Sequence, residues 1–258
     1  MIQPPTLTAR VAIITGGGTG IGFGITRVLA EKGVKIALVQ RTVEEAEQAV
    51  QKLPGTESLA FGADISDPSA VQRMVEDVVD RLGRIDILVN NASVTGMSAI
   101  GPILECPPSK VDEIIDVNLK GTFYCSQAVA KRMIAAGRGG NIVHISSVGA
   151  YAAQELASLY CATKAGQVAF TRAMALELAP YQIRVNCIAP GDIGTEASSR
   201  TASHLKDSGA SGRYMRITPL GRRGTPQDIG HAIAYIVSDD AGFITGATLV
   251  VDGGFLTY

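Results

Sequence analysis

RVAIITGGGTGIG, residues 10–22, is the stretch on which the fold turns. Residues 10–15 are a short β-branched run of the kind buried on both faces of a parallel sheet, and they lead straight into a glycine cluster. A helical pattern follows at once through Ile21, Ile25, Val28 and Leu29, and Gly33 stands where a glycine ends a helix. Strand, glycine turn and helix in that order lay a pyrophosphate on a helix N-terminus, where unpaired N–H groups and the positive end of the dipole meet it. Gly16, Thr19, Gly20, Ile21 and Gly22 are therefore the candidate phosphate cradle. The spacing is Gly-x-x-x-Gly-x-Gly, and glycine turns elsewhere often do no more than reverse the chain. The position between a buried strand and a helix is what points to a nucleotide.

Outward from this unit the alternation continues. Strands are expected at residues 35–39, 58–63, 85–89, 141–146, 183–188 and 248–251, and helices at 43–52, from 68 to 82, at 109–118, 120–136 and 159–178, and from Thr225 onward. Asp67 and Pro68 read as a helix cap and first helical residue, and Gly83 as the stop. With no repeat, linker or second core, residues 1–258 predict one doubly wound α/β domain, a seven-stranded parallel sheet with helices on both faces. Residues 196–216 are polar and without clear period, so the segment 192–216 is expected to be a mobile lid over a substrate or, equally, a plain surface loop.

The end of the second strand carries Gln40 and Arg41, roughly 20 residues past the glycines, where a carboxylate would grip the 2′-hydroxyl of NAD and a cation the 2′-phosphate of NADP. Gln40 does not repel a phosphate and Arg41 can pair with one through a bidentate fork, which favours NADP and leaves NAD possible. Against this, Arg41 could be an ordinary solvated residue, and Thr19 puts no second cation in the glycine turn. Asp64, at the end of the third strand, could accept from an adenine amino group. Asn90 and Asn91 can satisfy backbone groups of neighbouring loops. Asn118 falls inside a helical pattern, where an amide is usually exposed, and its spacing alone gives it no role.

Residues 147–164, SVGAYAAQELASLYCATK, hold a hydroxyl, a phenol and an amine at a usable spacing. Tyr160 and Lys164 are four apart and so share one helix face, about 5–6 Å apart at Cβ. A free phenol titrates near 10, and a neighbouring positive charge moves it toward the working range. Tyr160 is then the proton carrier and Lys164 its tuner. Ser147 would emerge at a strand's C-terminal end, where open α/β sheets place ligands. The competing explanation is a half-buried ring beside a solvated amine.

A formal net charge of −1 and a pI near 6.3 give no electrostatic case for a nucleic-acid or membrane partner. Cys106, Cys125, Cys161 and Cys187 form no Cys-x-x-Cys pair and no His lies at a ligand interval, so reduced core thiols and no metal are expected. The first ten residues lack a basic and an apolar targeting region, which leads to the expectation of a cytoplasmic protein.

These motifs together resemble the short-chain dehydrogenase/reductase family in its single-domain form. Thr15-Gly-Gly-Gly-Thr-Gly-Ile-Gly22, Asp64, Asn90-Asn-Ala92, Asn118, Ser147, Tyr160-x-x-x-Lys164, Pro190-Gly191 and Val251-Asp-Gly-Gly254 occur in the family's order and spacing across essentially the whole chain. The resemblance implies a Rossmann domain in which Ser147 polarises the substrate oxygen and Tyr160 is the general acid or base. It implies that Lys164 lowers the Tyr160 pKa and holds the nicotinamide ribose, while Asn118 keeps a water in the relay behind Lys164. It further places Gly16, Gly20, Ile21 and Gly22 on the pyrophosphate, Asp64 and Ile65 at the adenine, Asn91 near the riboses, and Ile193 and Thr195 at the carboxamide. The departures are Ser93, where a glycine is usual, and Gln40, which replaces the acid of NAD-preferring members. The implied activity is NADP(H)-preferring hydride transfer between nicotinamide and a small-molecule carbonyl or secondary alcohol, with 3-oxoacyl thioesters the first substrate class. The alternatives are an NAD-dependent alcohol or sugar dehydrogenase and a nucleotide sensor without chemistry. Met97, Tyr151, Gln154 and residues 196–214 are expected at the substrate, and a homotetramer is expected with the 159–178 helix at one interface.

Overall fold

In the computed structural model, which describes residues 7–54, 57–207 and 218–257, helices and strands alternate almost without interruption. The order is β1 (Val11–Thr15), α1 (Gly20–Glu31), β2 (Lys35–Gln40), α2 (Val43–Val50), β3 (Ser58–Gly62), α3 (Pro68–Leu82), β4 (Ile87–Asn90), α4 (Pro108–Ile115), α5 (Thr122–Ala136), β5 (Gly140–Ile145), α6 (Ser158–Leu178), β6 (Ile183–Pro190), α7 (Glu196–Asp207), α8 (Pro226–Ile236) and β7 (Thr248–Val251). The strands form the expected seven-stranded parallel sheet, in the order β3-β2-β1-β4-β5-β6-β7. Strand order reverses between β1 and β4, where Thr15 pairs with Asn90, and the C-terminal ends on either side of that reversal frame a crevice.

Side chains of β1 alternate between two cores, because successive residues of a strand face opposite sides of the sheet. Ala12 and Ile14 pack with Ile25 and Leu29 of α1 and Ile229 and Ile233 of α8. Val11 and Ile13 join Val75 and Val78 of α3 and Val129 and Met133 of α5. Every residue of β1 is buried, which explains its unbroken apolar run.

The local signals for helix ends hold. Asp67 caps α3 by accepting from the Ser69 N–H at 2.8 Å, and Gly83 ends it at φ 79°. Thr225 and Asp228 form a reciprocal capping box at the start of α8. Two expectations need correction. The polar segment begins as a helix, α7, because Thr195 and Ser198 cap its first turn with reciprocal hydrogen bonds and Glu196 pairs with Arg200 one turn on. The remainder of the expected lid, 208–216, lies outside the described residues. The second correction is between α4 and α5, where the backbone widens into a π-helix, Asp116–Gly121, that turns Asn118 inward. Among the described residues no helix is long and apolar enough to cross a membrane.

Candidate active site

The glycine turn after β1 is built for a backbone that no side chain could follow. Gly16 and Gly20 have φ of +62° and +50°, and a Cβ on Gly22 would stand 2.0 Å from the Gly16 oxygen. Asn91 locks this turn to the end of β4, its Nδ2 donating to the oxygens of Thr15 at 3.1 Å and Gly16 at 3.0 Å. The Thr15 hydroxyl accepts in return from the Asn91 and Ala92 N–H groups. Both amide hydrogens of Asn91 are thus committed to backbone, and it shapes the cofactor side of the crevice through the turn it holds. Thr19 occupies the N-cap of α1 in extended conformation without a side-chain cap, and no acidic residue lies in the first turn. The helix therefore presents uncapped N–H groups and an unneutralised positive dipole end around Gly20, Ile21 and Gly22, which fits a pyrophosphate.

Farther along the same edge, Gln40 lies against Gly18, whose Cβ would come 2.7 Å from Gln40 Nε2. Arg41 is exposed beside it. Asp64 accepts from the Ser66 N–H at 2.9 Å and from its hydroxyl at 2.6 Å, and these bonds, aided by the charge of Arg41, hold its carboxyl below the usual range. Ile65 is buried, its side chain turned toward Gly121. The residues at the opposite wall come from the loop after β6: Thr195 faces Gly20, and buried Ile193 pairs with Gly224. Arg223 fixes that loop, its guanidinium bonding both Asp192 oxygens at 3.0 Å and Ser198 at 2.8 Å.

Ser147 leaves the end of β5 buried, and its Oγ accepts from the Gly149 N–H at 3.0 Å. The neighbouring Ser146 donates to the Lys164 carbonyl at 2.7 Å, which commits that hydroxyl to holding α6 and leaves Ser147 as the serine facing the phenol. Burial raises the Tyr160 pKa above the ordinary phenol value, while hydrogen bonding to Ser147 and Thr95 works against the rise. Lys164 Nζ lies 5.5 Å from the centre of the Tyr160 ring and donates to the Ile145 oxygen at 2.8 Å and to Gln167 Oε1 at 3.2 Å. The net shift of the phenol is upward, against the expected lowering, because burial outweighs the other influences; the ammonium sits over the ring and faces two other acceptors. Lys164 itself is pushed down to about 8 by burial.

Asn118, idle by its spacing, is 0% exposed and makes a full set of bonds. Its Oδ1 accepts from the Val94 N–H at 2.7 Å and Ser93 hydroxyl at 3.0 Å, and its Nδ2 donates to the Val94 oxygen and Thr163 hydroxyl. Its main-chain oxygen accepts from the Thr122 hydroxyl at 2.8 Å and Gln167 Nε2 at 2.9 Å. An amide side chain has two acceptor sites and two hydrogens, and a carbonyl two lone pairs, so protein groups fill every position on Asn118. Ser93 joins the site through its bond to Asn118, and Thr95 through its hydrogen bond to the Tyr160 phenol. Sequence reasoning missed Thr95 and Gln167, the first a loop hydroxyl without a pattern and the second a lone polar residue in an apolar helix. It also missed His144, buried between the Ser126 and Thr171 hydroxyls and pushed down to about 3 by burial and by the charge of Lys164.

An uncapped glycine turn and a serine, phenol and amine at the carboxyl ends of a doubly wound sheet define the class, a dinucleotide-dependent oxidoreductase. The profile of the family described as enoyl-(acyl carrier protein) reductase matches residues 16–256. A 3-oxoacyl-[acyl-carrier-protein] reductase of Chlamydia pneumoniae is 35% identical over 98% of this chain and 99% of its own length. A D-threitol dehydrogenase of Mycolicibacterium smegmatis is 37% identical over 96% and 94%. A 3-ketoacyl-(acyl-carrier-protein) reductase of Brucella melitensis, solved with NADH, superimposes with a TM-score of 0.85 at 33% identity, covering 96% of this chain and 98% of that one. The chain belongs to the short-chain dehydrogenase/reductase family.

Proposed function

We propose that the protein is an NADP(H)-preferring carbonyl reductase in which Tyr160 is the proton donor. The observation that carries this reading is the convergence of the Ser147 and Thr95 hydroxyls on the Tyr160 phenol, one helical turn from a buried lysine. A phenol whose pKa is raised keeps its proton at neutral pH, the state a general acid needs at the start of a reduction. Ser147 donates a hydrogen bond to the substrate oxygen and holds it beside Tyr160, which gives that oxygen its proton and leaves a secondary alcohol. Bound NADPH supplies the hydride. Lys164 contributes a fixed positive charge behind the phenol and a free N–H for a ribose hydroxyl. General acid catalysis of this kind accelerates a step by about 10²–10⁴-fold.

Gly16, Thr19, Gly20, Ile21 and Gly22 would hold the pyrophosphate, with Asn91 keeping the turn in shape. Asp64 and the backbone at Ile65 face the adenine end, and Ile193 and Thr195 the carboxamide end. Exposed Arg41, next to an uncharged Gln40, supports a 2′-phosphate and hence NADP. NAD is the second reading, supported by the NADH held in the Brucella melitensis relative. The first substrate class is a 3-oxoacyl thioester, on the likeness to the Chlamydia pneumoniae reductase, and the second is a polyol or its ketose, on the likeness to the threitol dehydrogenase. Met97 and α7, whose Thr201 hydroxyl lies 3.2 Å from where a Gly96 Cβ would stand, flank the substrate side. A homotetramer is supported by the exposed apolar face of α6, where Leu176 is 81% exposed.

The test is NADPH and NADH oxidation by the purified protein across 3-oxoacyl thioesters, enoyl thioesters, ketoses and small ketones. The proposal expects turnover with at least one carbonyl and a preference for NADPH. Turnover confined to the enoyl thioesters, or nucleotide binding without turnover of any carbonyl, contradicts it.

A further inference from the structure

We propose that Gln167 is a positioning residue that fixes the ammonium of Lys164, bridging it directly to the main-chain oxygen of Asn118. The inference rests on the proposed role of Lys164, and it adds a residue that no motif singles out. Gln167 is 1% exposed and lies one turn beyond Lys164 on α6, so both side chains point into the same buried space.

The orientation of its amide follows from its neighbours. The Asn118 oxygen can only accept, and the Thr122 hydroxyl already donates its proton to that oxygen at 2.8 Å, so both can face only the amide nitrogen of Gln167. Gln167 Nε2 stands 2.9 Å from the one and 3.0 Å from the other. Oε1 is thereby turned to Lys164 Nζ, at 3.2 Å, and cannot flip without breaking two buried hydrogen bonds. With Ile145 holding a second hydrogen of the ammonium at 2.8 Å, the third is the one left for the crevice. An amide retains both its hydrogens at neutral pH, so this bridge fixes a charge and does not conduct a proton.

Around the ammonium, Gln167 is the side chain that accepts a hydrogen bond from it. His144 of β5 stays neutral, and Cys187 of β6, whose charge would favour the ammonium, is held toward the thiol by burial. Tyr160 presents the face of its ring. Asp116 and Lys120 of the π-helix pair with each other at 2.7 Å near the surface. Asp112 and Glu113 of α4 are exposed, as are Tyr151 before α6 and Tyr181 after it. Among the described residues, Gln167 Oε1 is the one side-chain acceptor on Lys164 Nζ.

The experiment follows the Lys164 resonance in full-length protein carrying isotope-labelled lysine Cε, assigned by its loss in Lys164→Arg, as pH is raised in the parent, Gln167→Leu and Gln167→Glu. Gln167→Leu removes the acceptor and is expected to lower the midpoint by about one unit or more, while Gln167→Glu adds a negative charge and is expected to raise it. Opposite displacements are not produced by a general loosening of the helix, and should Gln167→Leu not fold, the direction of Gln167→Glu alone decides. Midpoints that do not move, or that move the same way in both variants, overturn the bridge. The alkaline limb of carbonyl reduction is measured alongside and should move with the resonance. A resonance that moves while that limb stays in place leaves the bridge standing and removes Lys164 from the proposed chemistry.

Discussion

Lys164 and Tyr160 share a helix face, as their spacing requires, yet their partners differ: the phenol meets Ser147 and Thr95, the ammonium Ile145 and Gln167. At the cofactor's far end the proposed preference for NADPH rests on Arg41. Arg41→Ala is expected to raise the KM for NADPH about tenfold and leave that for NADH unchanged, because only the 2′-phosphate offers a charge to pair with. Equal effects on the two cofactors would remove Arg41 from the site. His144 makes a prediction about stability. Its native pKa of about 3 lies below the ordinary 6.5, so between those values the unfolded chain binds the proton and the folded one does not. Stability is therefore unaffected by this group above pH 6.5 and falls as pH drops toward 3, by roughly 3 kcal/mol between pH 7 and pH 4. Urea unfolding midpoints at the two pH values check this, and His144→Gln should flatten that part of the slope. Tyr160 and Lys164 could be read from their interval of four, which puts both on one helix face, and Ser147 from its place at a strand's C-terminal end together with the family resemblance. Gln167, Thr95 and His144 could not, since their roles arise from neighbours brought by other elements.

The glycine turn and first helix were legible as a unit because each part carries its own backbone signal, and the close approach of Gly22 to Gly16 shows what that signal protects. Gly22→Ala puts a methyl 2.0 Å from the Gly16 oxygen and 2.5 Å from Asn91 Nδ2, so the turn must open. NADPH binding, followed by fluorescence, is expected to weaken about tenfold or more, with a lower melting temperature. Unchanged binding would show that the pyrophosphate does not lie on this turn. Two elements resisted the reading. The π-helix at Asp116–Gly121 buries Asn118, where an amide within a helical pattern is expected to be exposed. In α7 the serines and other polar residues hide a helix that is held by its first-turn hydroxyls and by Arg223 rather than by an apolar stripe.

At the scale of the molecule, the alternation of strand and helix sets the sheet order, and the order sets the crevice. The burial of β1 on both faces was legible in its unbroken apolar run. Assembly was read from the apolar surface of α6, whose exposed Leu176 lies off both cores, as does exposed Phe123 of α5. Sedimentation is expected to show four chains together, and Leu176→Arg to yield smaller species. A monomeric parent protein would rule out that use of the face. The account as a whole depends on one proton carrier. Its most direct test is a single-turnover measurement of NADPH oxidation against a proven carbonyl substrate, comparing the parent with Tyr160→Phe at matched NADPH occupancy. The account predicts a rate at least about 10²-fold lower in Tyr160→Phe with NADPH affinity retained, and a variant that turns over at the parent rate contradicts it.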